Sequence, residues 1–301
     1  MSKLLRRLTL VVGAIAVIIG VVAIGVYVLS ERAIRASVTV ADESVVIPTD
    51  SASIARGRHL ARAVTKCVDC HGHDLGGATI VDAPPMGKFS GMNLTRGKGG
   101  LGASLSDAEM VRAIRHGVAA DGHKLVIMPS VEYSSLSAED LGAVIAYVRS
   151  LAPVDREIAR PTFGPVARVL IATSAAPLFA ADVVGRAVPL AAAPPSGVTA
   201  AYGAYLAKIG GCVGCHGPTL SGGKIPQGDP SWLPAANLTP TGLAGYTEET
   251  FITALRTGVR PNGGAINFPM PWKAAAEMTD DEMKAVWAYL KTVPPKAYGG
   301  R

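Results

Sequence analysis

The hydrophobic pattern of the chain has two regimes. From Leu8 to Leu29 the run LTLVVGAIAVIIGVVAIGVYVL carries no charge, and its 22 residues at helical rise are enough to cross a bilayer. Further along, apolar positions recur at helical spacing. Leu141, Val144, Ile145 and Val148 stand at i, i+3, i+4 and i+7, as do Met283, Val286, Trp287 and Leu290, and each set predicts an amphipathic helix with one buried face. Ser137 with Asp140 and Thr279 with Glu282 read as capping boxes that start these helices, and Ser106 with Glu109 opens another. The segments between are rich in Gly and Pro and show no convincing strand alternation. The expected fold class is all-α, with long ordered loops.

The pattern also repeats. GRHLARAVTKCVDCHGHDLGG from Gly57 matches GAYLAKIGGCVGCHGPTLSGG from Gly203, with one residue fewer before the first Cys of the second copy. GMNLT answers AANLT, AIRHGV answers ALRTGV, and LSAEDLGAVIAYVRSLAP answers MTDDEMKAVWAYLKTVPP. The predicted organisation is an N-terminal anchor (1–30), a linker (31–49), one domain at 50–155, an apolar Ala/Pro-rich interdomain segment (156–196) and a second domain at 197–301. Within the interdomain segment the uncharged run Val169–Ala181 is too short to span a bilayer and contains Pro177, so it predicts a packing helix, with contact to a bilayer surface as an option.

Charge gives the anchor a direction. Lys3, Arg6 and Arg7 precede the apolar run, whereas Glu31, Arg32 and Arg35 follow it with mixed sign. The positive-inside bias places the short N-terminus in the cytoplasm and the rest outside, which in a Gram-negative cell is the periplasm. AIRA at Ala33–Ala36 matches a signal-peptidase site only loosely, so retention on the inner membrane is the expectation. The net charge of +6 is scattered without a basic run, which argues against a nucleic-acid partner. Aromatic residues make up only 5% of the chain, a deficit of large rings that a bulky prosthetic group would fill.

Every cysteine belongs to one of two CxxCH motifs: Cys67, Cys70 and His71, then Cys212, Cys215 and His216. Zinc would want four ligands from knuckles close in sequence, but these motifs lie in separate repeats. A thioredoxin-like dithiol expects a βαβ setting and has no use for the adjacent His. Covalent haem uses every position, since two thiols on a helical turn can take the two vinyl groups while the His comes beneath the iron. Two haem c groups are expected. For the sixth ligands, Met128 in VIMPS lies 57 residues after His71, and Met270 in FPMPW lies 54 after His216. Each precedes a Pro at the same place in its repeat, and a thioether favours reduced iron. His71, Met128, His216 and Met270 are therefore the expected iron ligands.

The second shell is an expectation too. A loop carbonyl should accept from each axial His, with Pro84, Pro85, Pro226 and Pro230 in the region where it should lie. Asn93, Thr95, Asn237 and Thr239 offer donors near a haem edge, and Arg115 and Arg256 offer partners for propionates. His59, His73, His116 and His123 have no counterpart in the second copy and read as surface or satisfied residues, with His73 and His123 as alternative axial ligands.

GRHLA…CVDCH…LGG…NLT…AIRHGV…DGHKLVIMP…LSAEDLGAVIAYVRSLAPV resembles the class I cytochrome c domains of multihaem cytochrome subunits that serve periplasmic alcohol, aldehyde and sugar-acid dehydrogenases. The resemblance implies two tandem class I domains after one transmembrane helix. It also implies close packing of a first-helix Gly against a last-helix aromatic, Gly57 with Tyr147 and Gly203 with Tyr289. The implied role is electron transfer by a membrane-tethered periplasmic dihaem cytochrome c, from a dehydrogenase subunit to a terminal oxidase or a soluble cytochrome. The competing role is a dihaem redox enzyme of peroxidase or thiosulfate dehydrogenase type, which would need a vacant or displaceable distal site.

Overall fold

A computed structural model describes residues 2–176, 178–185, 189–226, 228–229 and 231–300, which leaves Pro177 and Pro230 outside the described residues. Helix α1 (Lys3–Arg35) leads into an extended strap and then α2 (Ser51–His59), the short motif helix α3 (Cys67–His71) and a hairpin of β1 (Ala78–Ala83) and β2 (Gly87–Gly91). The first repeat continues with α4 (Asp107–His116), α5 (Ser130–Tyr133) and α6 (Ala138–Ser150). The interdomain segment contributes β3 (Thr162–Phe163) and α7 (Pro165–Thr173). The second repeat holds α8 (Ala200–Ile209), α9 (Cys212–His216), α10 (Glu248–Thr257), α11 (Trp272–Ala275) and α12 (Asp280–Thr292).

Helix α1 is long and apolar enough to cross a membrane, and none of its most apolar stretch is buried against the rest of the protein. Its C-terminal end is not free. Arg168 of α7 donates to Ser30 Oγ and Glu31 Oε2, both at 3.0 Å, and its guanidinium lies 4.6 Å from the Tyr27 ring centroid. Of the run Val169–Ala181 read as an interdomain packing helix, only Val169–Thr173 lies in α7, which ends at the left-handed Ser174 and packs on α1. The strap after α1 is also fastened, because Glu43 pairs with the buried Arg115 at 2.6 Å and Val46 runs over Gly142.

Each repeat is built on a crossing of its first and last helices. A Cβ on Gly57 would sit 1.8 Å from the Ala143 carbonyl oxygen, and one on Gly203 would sit 1.9 Å from that of Ala285. The resemblance placed these glycines correctly. Their closest contacts are helix backbone, joined by Tyr289 Cβ in the second repeat only. Two of the three capping boxes form as read, at Ser106 and Thr279, whereas Ser137 accepts from the Asp140 amide but the Asp140 carboxylate is drawn to Arg56 and Tyr205 and leaves its box incomplete. The residue that the first copy has in excess before its motif is absorbed by a π-helical turn, Leu60–Val64, closed by Thr65 N donating to Leu60 O at 2.8 Å.

The structure adds three short antiparallel strands, in the order β1-β2-β3, to the expected helices. β1 exposes residues on both faces, so it carries no alternating hydrophobic signal. It is held by backbone pairing and by a turn at Gly87, whose φ of 101° favours glycine. The hairpin ends on the first haem motif, where a Cβ on Gly91 would lie 2.1 Å from the Cys70 carbonyl oxygen.

The two domains meet about a pseudo-two-fold arrangement. Arg56 donates to Asp140 in its own domain (3.1 and 3.2 Å) and to Glu282 (3.0 Å) and the Tyr202 hydroxyl (2.9 Å) in the other. By repeat alignment His59 corresponds to Tyr205 and Asp140 to Glu282. Accordingly His59 Nε2 bonds Glu282 Oε2 at 2.7 Å, while the Tyr205 hydroxyl donates to Asp140 Oδ2 at 2.8 Å. His59, read from sequence as a surface or satisfied residue, is satisfied here across the domain interface.

Two outcomes follow. Gly57→Ala should cost about 1–3 kcal/mol or more in denaturant unfolding, because helix backbone cannot move aside for a methyl group, whereas Gly245→Ala, which meets nothing within 4 Å, should stay within about 0.5 kcal/mol. Burial pushes the Glu282 carboxyl up, but bonds from His59 and the Thr279 amide, with the Arg56 charge, outweigh it and hold the group below the usual carboxylate range. Its stabilisation is then present above the unfolded value of about 4.3 and is lost as pH falls through the lower folded value. Glu282→Gln should cost about 1–3 kcal/mol at neutral pH, and the gap to the parent protein should close in acid unfolding curves.

Candidate functional site: two haem-attachment centres

Each CxxCH stretch forms a single helical turn entered through a left-handed residue, Lys66 (φ 54°) in one repeat and Gly211 (φ 73°) in the other. All four cysteines are unbridged. Burial pushes the Cys67 and Cys212 thiols up and raises Cys70 to about 11, so these are not the low-pKa thiolates of a redox dithiol. Among the described residues no group of three or more His, Cys, Asp or Glu is placed to hold a metal, which leaves the zinc reading without a ligand set.

The histidines are oriented by backbone. His71 Nδ1 donates to the Met92 carbonyl at 2.8 Å, and His216 Nδ1 donates to the equivalent Ala236 carbonyl at 2.7 Å. Nδ1 as donor leaves Nε2 as the lone-pair nitrogen, the tautomer a metal needs. Burial holds the His71 imidazole below its usual range, against the opposing effect of the Met92 bond, so it is neutral at physiological pH.

These carbonyls, and not those of Pro84, Pro85 or Pro226, orient the rings; Pro230 lies outside the described residues. The Pro85 carbonyl instead accepts from the Val166 amide at 2.8 Å. The expected haem-edge donors have a different task. Asn93 Oδ1 accepts from the Thr95 amide and hydroxyl, while Asn93 Nδ2 donates to the Val154 carbonyl at 2.7 Å. Asn237 and Thr239 repeat the arrangement, with Lys296 O at 2.8 Å. The Asn-Leu-Thr triplet thus pins the orienting loop to the tail of the last helix. Arg256 bonds the Ala276 carbonyl and, at 2.7 Å, Asp280; Arg115 lies buried beside Glu43 together with His116. His73 and His123 are exposed, and His123 pairs with Asp121.

The methionine loops share one backbone form. Pro129 (φ −80°, ψ 51°) and Pro271 (φ −82°, ψ 54°) cap the short helices α5 and α11, and the Met128 and Met270 carbonyls accept from Ser130 N and Trp272 N at 2.8 and 2.9 Å. In the first domain Met128 and Cys67 line the same cleft with Ile114, Leu136 and Val144, and the Tyr133 hydroxyl closes its floor by bonding the Thr65 carbonyl. In the first domain thiol and thioether therefore line one apolar space, beside the helical turn that carries His71, and such a space fits a covalently held haem.

The motifs also lie against each other. Lys66 Nζ, next to Cys67, donates to the Gly210 carbonyl at 2.5 Å, and a Cβ on Gly214, inside the second motif, would lie 3.1 Å from Glu132 Oε1.

Comparison with known proteins agrees with this geometry. The profile of the family described as cytochrome c matches residues 200–294, and that described as cytochrome c oxidase, cbb3-type, subunit III matches residues 52–148. The chain is 38% identical over 96 residues to the gluconate 2-dehydrogenase cytochrome c subunit of Pantoea cypripedii, covering 29% of this chain and 22% of that protein. It is 34% identical over 95 residues to the alcohol dehydrogenase (quinone) cytochrome c subunit of Gluconacetobacter polyoxogenes, covering 29% and 20%. It is 35% identical over 98 residues to the fructose dehydrogenase cytochrome subunit of Gluconobacter japonicus, covering 30% and 20%. The chain spans about a fifth of the length of these relatives. With one cytochrome c domain in each repeat and a haem-attachment motif in each domain, the chain is a multihaem c-type cytochrome that carries covalent haem c.

Proposed function

We propose that the protein is a membrane-tethered dihaem electron carrier whose two centres exchange electrons across the domain interface. The observation that carries this reading is the duplicated attachment motif, each copy with a carbonyl that orients its His and a Met-Pro turn of the same backbone form, in two domains whose motif-flanking residues Lys66 and Gly210 touch. Bound haem c supplies a reversible one-electron iron couple. The protein's part is structural. Cys67, Cys70, Cys212 and Cys215 anchor the groups, and His71 and His216 present Nε2 while Met92 and Ala236 fix the ring planes. Met128 and Met270 would supply the second iron ligand of each haem, which would leave no open site for a peroxidase or thiosulfate dehydrogenase role. Arg56, Asp140 and Glu282 keep the two centres from drifting apart.

Helix α1, with Lys3, Arg6 and Arg7 before its apolar run, supports a single-pass anchor in the inner membrane with both cytochrome domains in the periplasm. The relatives are cytochrome subunits of gluconate, alcohol and fructose dehydrogenases, and the analogous donor here is a dehydrogenase subunit. A terminal oxidase or a soluble cytochrome would accept the electrons.

Replacing Met128 or Met270 by His should lower the potential of one haem by a few tenths of a volt, within the roughly 0.8 V span that axial ligation covers, and leave the other in place. A spectroelectrochemical titration of each variant reads this directly. Two unmoved potentials would remove the methionines from the ligand set.

A further inference from the structure

The two domains differ in what lies on the loop before each Met-Pro pair. In the first domain the interdomain segment folds back onto it. Val126 forms an antiparallel bridge with Phe179, and the Ile127 amide donates to the Leu178 carbonyl at 2.8 Å. Lys124, only 6% exposed, bonds both carboxylate oxygens of Asp182 at 2.9 and 3.0 Å, with its ammonium 4.5 Å from the Phe179 ring centroid. Phe179 is buried. Residues 178–182 thus close the flank of the first Met loop with backbone bonds, an ion pair and an aromatic plug.

In the second repeat the positions of Lys124, Val126 and Ile127 are taken by Ile266, Phe268 and Pro269. Pro269 has no amide hydrogen, so the bond made by Ile127 cannot form there. Phe268 is 74% exposed and packs edge-on with the Trp232 ring at 5.4 Å, while Leu233 and Val259 extend the apolar surface. A gathering of large exposed apolar side chains on one face marks an interaction site. Its surroundings are basic. Lys224 and Arg260 sit on the flanking loops, and Lys273 Nζ lies 5.9 Å from the Trp272 ring centroid, a ring that packs on Gly258 beside Val259. The acid on these loops, Asp229, is taken up by the Ser231 amide and hydroxyl at 2.8 and 2.6 Å. Glu248 and Glu249 stand at the far end of α10 from Gly258.

We propose that the face around Phe268 docks a redox protein with an acidic rim around an apolar centre, and that residues 178–182 close the equivalent face of the first domain. Exchange with that partner then runs through the second domain. The inference rests on the electron-carrier reading. In the exchange one electron leaves the partner's reduced centre and the second domain gains it, with no bond made or broken. Opposite charges accelerate such encounters and salt slows them.

The test is stopped-flow reduction of the oxidised full-length holoprotein, with a reduced acidic flavodoxin as the protein-sized donor and dithionite as the small one. F268S combined with K273E, on the proposed face, should lower the flavodoxin rate about tenfold or more at low ionic strength and leave the dithionite rate unchanged. The parent rate should fall as salt rises. F179S and D182A, which loosen the seal, should add a second flavodoxin-dependent phase. A flavodoxin rate that the double substitution leaves within about twofold of the parent, with dithionite reduction intact, would overturn the docking face and leave the carrier reading standing. No new phase in either F179S or D182A would overturn the seal. Self-association in sedimentation that F268S abolishes would give the face to a second copy of the chain, which also overturns the proposal. Haems that dithionite fails to reduce would instead sink the carrier reading.

Discussion

Arg56 binds two carboxylates in two domains, Asp140 in its own and Glu282 in the other, and the placement of both haem centres follows from that bridge. Each carboxylate sits in the first turn of its domain's last helix, and that helix is fixed against the first helix by a glycine too tightly packed to accept a methyl group. Orienting these two helix pairs therefore orients the motifs at the ends of α2 and α8. The guanidinium suits this position because its planar fork can serve several acceptors at once, which a lysine ammonium on a flexible stem would do less well. Burial alone would disfavour the charges. The Tyr202 and Tyr205 hydroxyls and His59 supply the hydrogen bonds that offset that cost.

The repeats show which features the attachment of haem constrains and which are free to diverge. The ring-orienting carbonyl bonds, the Asn Nδ2 bonds to the tail of the last helix and the Met-Pro turn bonds each agree between copies to within about a tenth of an ångström. Around that frame the copies differ wherever they face each other or the outside. The π-turn at Leu60–Val64 lengthens one first helix without disturbing either the Gly57 crossing or the motif. The strap and α7 tie the first domain to α1, and the second domain reaches that frame through the interface. One domain is thus fastened to α1 and the other is held through the interface.

Much of this was legible in the sequence where the chemistry is local. CVDCH, CVGCH and the Met-Pro pairs carry their meaning within a few residues, and the capping boxes and glycine crossings follow from short-range sterics. What escaped has a physical cause in each case. The partners of His71 and His216 are backbone carbonyls, which every residue has, so the proline-rich loops drew attention away from Met92 and Ala236. The recurrence of the Asn and Thr side chains in both copies pointed to the haem, although they serve the loop that serves the haem. The hairpin lacks alternation because both faces of β1 meet solvent. His59 looked incidental because its repeat counterpart is Tyr205, yet that difference is how two homologous surfaces become complementary.

The central claim is that two His/Met haems are held side by side by this interface. Electron paramagnetic resonance of the fully oxidised full-length protein tests it most directly. The account predicts two low-spin ferric signals with His/Met character, each relaxing the other through a resolved dipolar coupling. A high-spin signal, or two low-spin centres that are magnetically isolated, would contradict it.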